Sequence, residues 1–195
     1  GRSYRWEAEF VGLDQLESLP QTINSKTAMI FTETITNPLL EIPDLERIGE
    51  IASEHCVPFV VDNTVGTPLN CQPLDYNADY VIHSTTKYLS GSNDHAGGAV
   101  LVKNSMDANA LDNFQRCWEM KISHLESAAL WEYMQDFQER MERFNNNGTI
   151  LAEFLAEHFA VDFVYHPSLS TNSSYFEAKT LLKGNGGLVS FTLKD

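Results

Sequence analysis

The stretch Tyr-Val-Ile-His-Ser-Thr-Thr-Lys-Tyr-Leu-Ser-Gly, residues 80–91, decides the fold and the chemistry of this chain. Its apolar start, residues 80–82, predicts a buried strand. Lys87 therefore follows the end of a strand, close in sequence to the hydroxyls of Ser84 and Thr86. A lysine in such a place is often only a solvated charge, but an amine at the end of a core strand also suits Schiff-base chemistry.

A second apolar run, residues 59–61, predicts another buried strand, and Asp62 follows it. A carboxylate in that position can form a turn or cap a helix. It also lies where open α/β sheets bind ligands, because those ligands sit at the carboxyl ends of the strands. The short separation of Asp62 from Lys87 fits two parts of one sheet that are joined by a connection.

This set of polar groups suits pyridoxal phosphate. Lys87 would form the Schiff base with the aldehyde of the cofactor. A buried carboxylate at Asp62 would keep the pyridine nitrogen protonated, so that the ring can accept electrons from a substrate carbanion. The hydroxyls of Ser84 and Thr86 would bind the phosphate, which needs hydrogen-bond donors rather than bulk positive charge.

Strand and helix signals alternate through the first half of the chain. Apolar runs predict strands at residues 28–31, 59–61, 80–82 and 95–102. Pro43 and Asp44 predict the start of a helix between the first two of these strands. This order predicts an α/β fold in which helices cover the faces of a mostly parallel sheet.

The second half of the chain carries a different pattern. Residues 106–158 predict mostly helix, ending in one long helix or in two helices with a kink at a run of asparagines. Apolar runs at residues 161–165 and 188–193 predict strands of a smaller α+β unit. We therefore predict a cofactor-binding large domain over residues 1–145, followed by a linker helix and the start of a small domain over residues 146–195.

The composition argues against several classes of function. Acidic residues outnumber basic residues 27 to 13 in the 195-residue chain, and the formal net charge is −14. Because the sequence contains no basic stripe, nucleic acid is not an expected partner, and binding to an anionic membrane is disfavoured. The sequence shows neither a signal peptide nor an apolar run of membrane-spanning length.

The cysteines and histidines indicate a reducing compartment and predict no metal site. Three widely spaced cysteines without a Cys-x-x-Cys motif predict free thiols in a cytoplasmic protein: Cys56, Cys71 and Cys117. The six histidines do not cluster with them at the spacing of metal ligands. His83 and His95 flank the predicted site, and we expect them to pack in the fold rather than to act in catalysis.

An ordered series of segments runs through nearly the whole chain. The series comprises residues 33–38 (Glu-Thr-Ile-Thr-Asn-Pro), 61–64 (Val-Asp-Asn-Thr), 84–88 (Ser-Thr-Thr-Lys-Tyr), 91–94, 97–98, 140–145 and 187–191. It resembles the Cys/Met-metabolism enzymes that use pyridoxal phosphate, which include cystathionine γ-synthase, cystathionine lyase, methionine γ-lyase and homoserine sulfhydrylase. The resemblance implies the fold-type-I architecture: a large α/β domain with a mostly parallel seven-stranded sheet, and then a small domain.

The resemblance also implies a role for each matching residue. Lys87 would form the internal aldimine with pyridoxal phosphate and later move protons at the α and β carbons of the substrate. Asp62 would pair with the pyridinium nitrogen, and Ser84 and Thr86 would bind the phosphate. Asn37 would lie near the ring hydroxyl and the carboxylate of the substrate.

Other implications of the resemblance concern groups around this set. Glu33 matches an acidic position of the family, and both a functional role and a purely local hydrogen bond stay open for it. The family's Gly-rich phosphate turn, its ring-stacking tyrosine and its carboxylate-binding arginine have no counterpart here, so we interpret the chain as a central fragment. The resemblance further implies a homo-oligomer, with dimers that commonly form tetramers.

Three functions remain open on the sequence alone. The first is γ-replacement, in which an activated homoserine ester is joined to a thiol. The second is γ- or β-elimination from cystathionine, methionine or cysteine, which shares the same cofactor chemistry. The third is a folded fragment that binds cofactor poorly and is inactive by itself. A Rossmann dinucleotide site is not supported, because no Gly-x-Gly-x-x-Gly follows a strand.

Overall fold

The computed structural model describes residues 6–194. The strands are β1 Ile30–Glu33, β2 Phe59–Asp62, β3 Tyr80–Ser84, β4 Gly98–Val102, β5 Val161–Tyr165 and β6 Ser190–Leu193. The α-helices are α1 Leu19–Thr22, α2 Leu45–Glu54, α3 Thr67–Asn70, α4 Ser105–Cys117, α5 His124–Tyr133, α6 Phe137–Ala156 and α7 Tyr175–Leu181. Two 3₁₀ segments, Leu13–Ser18 and Pro73–Tyr76, and one π-helical turn, Thr85–Leu89, complete the set for the described residues.

The first four strands form one sheet in the order β1-β2-β3-β4. Strands β1, β2 and β3 are parallel, and β4 runs antiparallel to β3. The prediction of an α/β fold with a mostly parallel sheet is therefore confirmed. In the register of these strands Asp62 pairs with Glu33 on one side and with Ile82 on the other, which brings the polar strand ends together.

Helix α2 covers one face of this sheet because its apolar residues recur at helical spacing. Its buried residues Ile48 and Ile51 join a core cluster with Phe59 and Val81 of the strands. The helix begins where the sequence predicts, since the Asp44 carboxylate accepts a hydrogen bond from the Arg47 backbone N–H at 2.9 Å.

Strand β1 lies two residues later in the chain than the sequence predicts. Its pairing with β2 starts at Ile30, opposite Phe59, whereas the preceding Met29 is 48% exposed and outside the sheet. Of the apolar run at residues 28–31, only residues 30 and 31 belong to the strand. As a consequence, Glu33 is the last residue of β1.

Helix α6 is one continuous helix of 20 residues, which settles the choice between one helix and two. It includes the run of asparagines, and Gly148 allows a second chain segment to approach it closely. A Cβ atom at Gly148 would lie 2.4 Å from the Gly186 carbonyl oxygen. Beyond α6, strands β5 and β6 form an antiparallel pair. The division at residue 145 stays a prediction, although α6 runs across it.

Two asparagine side chains connect α6 with the end of α3, the short helix that follows β2. The amide nitrogens of Asn70 and Asn145 each donate to the other's oxygen at 2.9 Å. The Asn145 oxygen also accepts from the Gly186 N–H at 2.8 Å. These bonds connect the end of α3, the middle of α6 and the segment that leads to β6.

Among the helices of the described range, none combines the length and apolar character needed to cross a membrane.

We expect His166, which is fully buried, to make stability depend on pH. Burial lowers its pKa from 6.5 to about 4, against an opposing effect of the Gly186 backbone. As the pH falls from 6.5 towards 4, the unfolded chain therefore binds a proton that the folded chain does not. The contribution of His166 to the free energy of unfolding is fully present above pH 6.5, and the free energy of unfolding falls by about 3 kcal/mol by pH 4.

Urea unfolding of the full natural protein at several pH values between 7 and 4 tests this expectation. His166→Gln should remove most of this fall, whereas His124→Gln, at an exposed histidine, should leave it unchanged. An equally steep fall in the parent protein and in His166→Gln would contradict the assignment.

Candidate functional site

A cavity of about 200 Å³ opens at the carboxyl ends of the three parallel strands. Its lining residues are Glu33, Ile35, Asn37, Asp62, Thr64, Val65, Ser84 and Lys87. Four of the five residues that the sequence singles out as site residues thus come together here. The fifth, Thr86, is not among the lining residues.

The carboxylate of Asp62 is held at the end of β2. Its Oδ1 accepts a hydrogen bond from the Thr64 backbone N–H at 2.9 Å, which closes a tight turn. The residue is partly exposed, and it faces the cavity. Its second oxygen can therefore accept a hydrogen bond from a bound molecule.

Thr64 joins the ends of two neighbouring strands. Its hydroxyl oxygen accepts a hydrogen bond from the Ser84 backbone N–H at 2.8 Å. This bond fixes the backbone that carries the Ser84 hydroxyl, next to the loop that carries Asp62. The sequence alone predicts no role for Thr64, because the contact depends on the register between β2 and β3.

Asn63 is a fully buried amide that shapes the loop after Asp62. Its oxygen accepts from the Thr34 hydroxyl at 2.7 Å, and its nitrogen donates to the carbonyls of Thr67 at 3.2 Å and Cys71 at 2.9 Å. Because three of its hydrogen-bonding positions are satisfied internally, Asn63 is a structural support of the site rather than a ligand-binding group.

Lys87 lies within the π-helical turn Thr85–Leu89, directly after β3. The Ser90 N–H donates to the Thr85 carbonyl at 3.0 Å, and the Gly91 N–H donates to the Lys87 carbonyl at 2.8 Å. The turn keeps the Lys87 side chain exposed to the cavity that Asp62 and Ser84 also line. Single π-helical turns of this kind occur frequently at functional sites.

Thr86 lies on the same turn, and its hydroxyl oxygen accepts a hydrogen bond from the Gly97 N–H at 3.3 Å. This contact links the turn to the segment that enters β4. A hydroxyl that accepts one hydrogen bond still has its own hydrogen to donate. Phosphate binding by Thr86 therefore stays a prediction.

Glu33 and Asn37 face each other across the loop after β1. The Glu33 carboxylate accepts a hydrogen bond from the Asn37 backbone N–H at 3.1 Å, and both residues line the cavity. Glu33 thus makes the local hydrogen bond that the sequence leaves open, and its carboxylate also lines the cavity.

The two histidines that flank the site are packed in the fold. Burial lowers the pKa of His83, although the nearby Asp62 charge acts in the opposite direction. His95 is also buried, and its Nε2 lies 3.1 Å from the Thr85 hydroxyl oxygen. Neither histidine is among the residues that line the cavity.

Comparison with known proteins assigns the chain to a family. The family model described as "Cys/Met metabolism PLP-dependent enzyme" matches residues 2–195. The chain belongs to this family. The relationship predicted from the ordered sequence segments is therefore confirmed.

The similar members of the Cys/Met metabolism family include both a synthase and a lyase. Cystathionine gamma-synthase of Mycobacterium leprae is 35% identical over 192 residues, which cover 97% of this chain and 50% of the relative. Cystathionine gamma-lyase of Bacillus subtilis is 36% identical over 187 residues, which cover 96% of this chain and 49% of the relative. The chain spans about half the length of these relatives.

Solved structures of the Cys/Met metabolism family confirm the fold. The crystal structure of cystathionine gamma-lyase from Lactobacillus plantarum, complexed with L-serine, matches with a TM-score of 0.91 and 32% identity. The match covers 94% of this chain and 48% of that one. The structural match therefore extends over nearly the whole chain.

The residues of the cavity fit the family's cofactor. Pyridoxal phosphate needs an amine for its aldehyde, an anion for its pyridinium nitrogen and neutral donors for its phosphate. Lys87, Asp62 and Ser84 are an amine, a carboxylate and a hydroxyl that line one cavity.

In the described range, no three His, Cys, Asp or Glu side chains are grouped so that they could hold a metal ion.

Proposed function

We propose that this protein is a pyridoxal-phosphate enzyme that joins an activated homoserine ester to a thiol by γ-replacement. The observation that carries the proposal is the cavity in which Lys87, Asp62, Ser84 and Asn37 meet at the ends of parallel strands. In the replacement a C–S bond forms, the Cγ–O bond of the ester breaks, and the acid leaves as a carboxylate with release of a proton. The similarity to cystathionine gamma-synthase supports this reaction type.

Each of the proposed site residues has its own role. We propose that Lys87 would hold the cofactor through Nζ and that its amine would move protons at the α and β carbons of the substrate. Asp62 holds a proton at the ring nitrogen. Ser84 and Thr86 donate hydrogen bonds to the phosphate, and Asn37 orients the ring and the substrate carboxylate. When bound, pyridoxal phosphate supplies an electron sink for the negative charge that develops on the substrate.

Elimination from cystathionine, methionine or cysteine is the second candidate, and the similarity to cystathionine gamma-lyase favours it. Both reactions use the same proton transfers at Lys87. They differ in whether a thiol nucleophile is bound and captured, and the cavity residues named above serve either reaction. The choice therefore depends on an assay.

Parallel assays of the full natural protein with O-acetylhomoserine and O-succinylhomoserine, with and without cysteine or sulfide, separate the two reactions. We expect a thioether or thiol amino acid to form only when the nucleophile is present, and 2-oxobutanoate to fall at the same time. The Lys87→Ala protein serves as the blank. Formation of 2-oxobutanoate and ammonia at one rate with or without thiol would reject γ-replacement.

Three further expectations belong to this proposal. The substrate is a small amino acid derivative, the protein is a homo-oligomer of the dimer or tetramer type, and it acts in the cytoplasm. If the purified full natural protein shows no visible absorption band after addition of pyridoxal phosphate, the cofactor assignment fails and an inactive, cofactor-poor protein becomes the conclusion.

A further inference from the structure

We infer that Arg140 is a positioning residue for Lys87. Arg140 lies in the first turn of α6, and its side chain is only 12% exposed. One guanidinium nitrogen, Nη2, donates to the backbone carbonyls of Tyr88 at 3.2 Å and Leu89 at 3.0 Å. These are the two residues that directly follow Lys87, so the guanidinium holds the chain at the point where it leaves the lysine.

The π-helical turn explains why such a donor is needed. The turn ends at Leu89, and the chain leaves it through Gly91, whose φ is +76°. Carbonyl groups at the end of a helical turn lack donors from a following turn and need another partner. Arg140 supplies charged N–H groups to two of them, and hydrogen bonds from charged donors are stronger than those from neutral ones.

Arg140 is itself held in place by the elements that precede it. Its Nη1 donates to the Tyr133 carbonyl at the end of α5 at 3.1 Å and forms an ion pair with Asp136, one helical turn earlier. Gly91 packs directly on the guanidinium, since a Cβ atom there would lie 2.5 Å from the Arg140 Nε. The guanidinium thus links the end of α5, the start of α6 and the turn of Lys87.

The ring of Tyr88 adds a second contact between this turn and α6. It packs edge-on against Phe144, one turn after Arg140, with 5.5 Å between the ring centroids. Helix α6 therefore fixes both the backbone and a side chain of the residues next to Lys87. Loss of the guanidinium would leave the Tyr88 and Leu89 carbonyls without this donor, while the contact between Tyr88 and Phe144 still packs the turn against α6. We therefore expect Lys87 to be misoriented in a protein that still folds.

The expected effect is on the attachment of the cofactor and on turnover, and this part rests on the proposed role of Lys87. In the full natural protein, Arg140→Met should slow the appearance of the visible absorption band, after pyridoxal phosphate is added, by about 10- to 100-fold. It should lower kcat by a similar factor and leave KM nearly unchanged. Arg143→Met, at an exposed arginine of the same helix, should do neither.

A readout that needs no cofactor tests the contact separately. In the cofactor-free protein, Arg140→Met should speed amide hydrogen exchange at Ser90 and Gly91, whose N–H groups close the turn. Guanidinium chloride, far below denaturing concentrations, should restore part of the band-formation rate in Arg140→Ala and none in Lys87→Ala. If Arg140→Met does not fold, Arg140→Lys gives the same comparison, because a lysine lacks the planar fork.

The outcomes distinguish this inference from the proposed function. Equal exchange at Ser90 and Gly91, and equal band-formation rates in Arg140→Met and Arg143→Met, would overturn the role of Arg140. Borohydride reduction followed by peptide mass analysis tests the role of Lys87 independently. Attachment at another lysine would reject the proposed function, while faster exchange in Arg140→Met would still support the contact.

Discussion

Lys87→Ala will abolish the visible absorption band of the enzyme and lower turnover by at least about 10³-fold. Lys87 is the only lysine among the described residues that line the cavity, so none of the other described lining residues offers an amine in its place. Spectra recorded after addition of pyridoxal phosphate, together with turnover rates, measure the loss.

The control for this change is Lys103→Ala, at an exposed lysine just after β4. This variant should keep both the band and the activity. A Lys87→Ala protein that retains a borohydride-reducible band and normal turnover would show that another lysine binds the cofactor.

Asp62→Asn will lower kcat by about 10²- to 10³-fold, the cost typical of removing one electrostatic group from an active site. The amide has the shape of the carboxylate and can still accept the hydrogen bond from the Thr64 N–H, so the turn after β2 should persist. The change removes the negative charge that, in the proposed role of Asp62, would hold a proton at the ring nitrogen. Turnover and cofactor affinity, measured by titration of the visible band, report the effect.

Asp75→Asn, at an exposed carboxylate in a 3₁₀ segment, is the matched control and should leave both quantities unchanged. Full activity of Asp62→Asn together with unchanged cofactor affinity would remove Asp62 from the site.

The positions of the main site residues could be predicted because they follow from strand ends. Asp62 and Ser84 stand at the end of apolar runs, and parallel strands bring their carboxyl ends to one edge of a sheet. Lys87 follows within one turn. The periodicity and the order of the elements are sufficient to predict the α/β class and the approximate place of the cavity.

Other parts of the site could not be predicted, because they depend on contacts between distant residues. The bond between Thr64 and Ser84 follows from the register of β2 and β3 and leaves no mark in either segment. Arg140 binds carbonyls that lie about 50 residues earlier, and backbone carbonyls carry no sequence signal. The observed start of β1 differs from the predicted one for a related reason, since the exposed Met29 is apolar like the buried Ile30 that follows it.

The continuous helix α6 limits how this protein can be divided experimentally. A truncation at residue 145, where the predicted domains meet, would cut the helix near its middle. The shorter product would end at Asn145, which binds Asn70 and the Gly186 N–H. It would lose the Gly186 partner, and a chain terminus would lie beside Asn70. A truncated protein should therefore keep α6 whole, because the segment that anchors Lys87 and the segment that leads to the second sheet share one backbone.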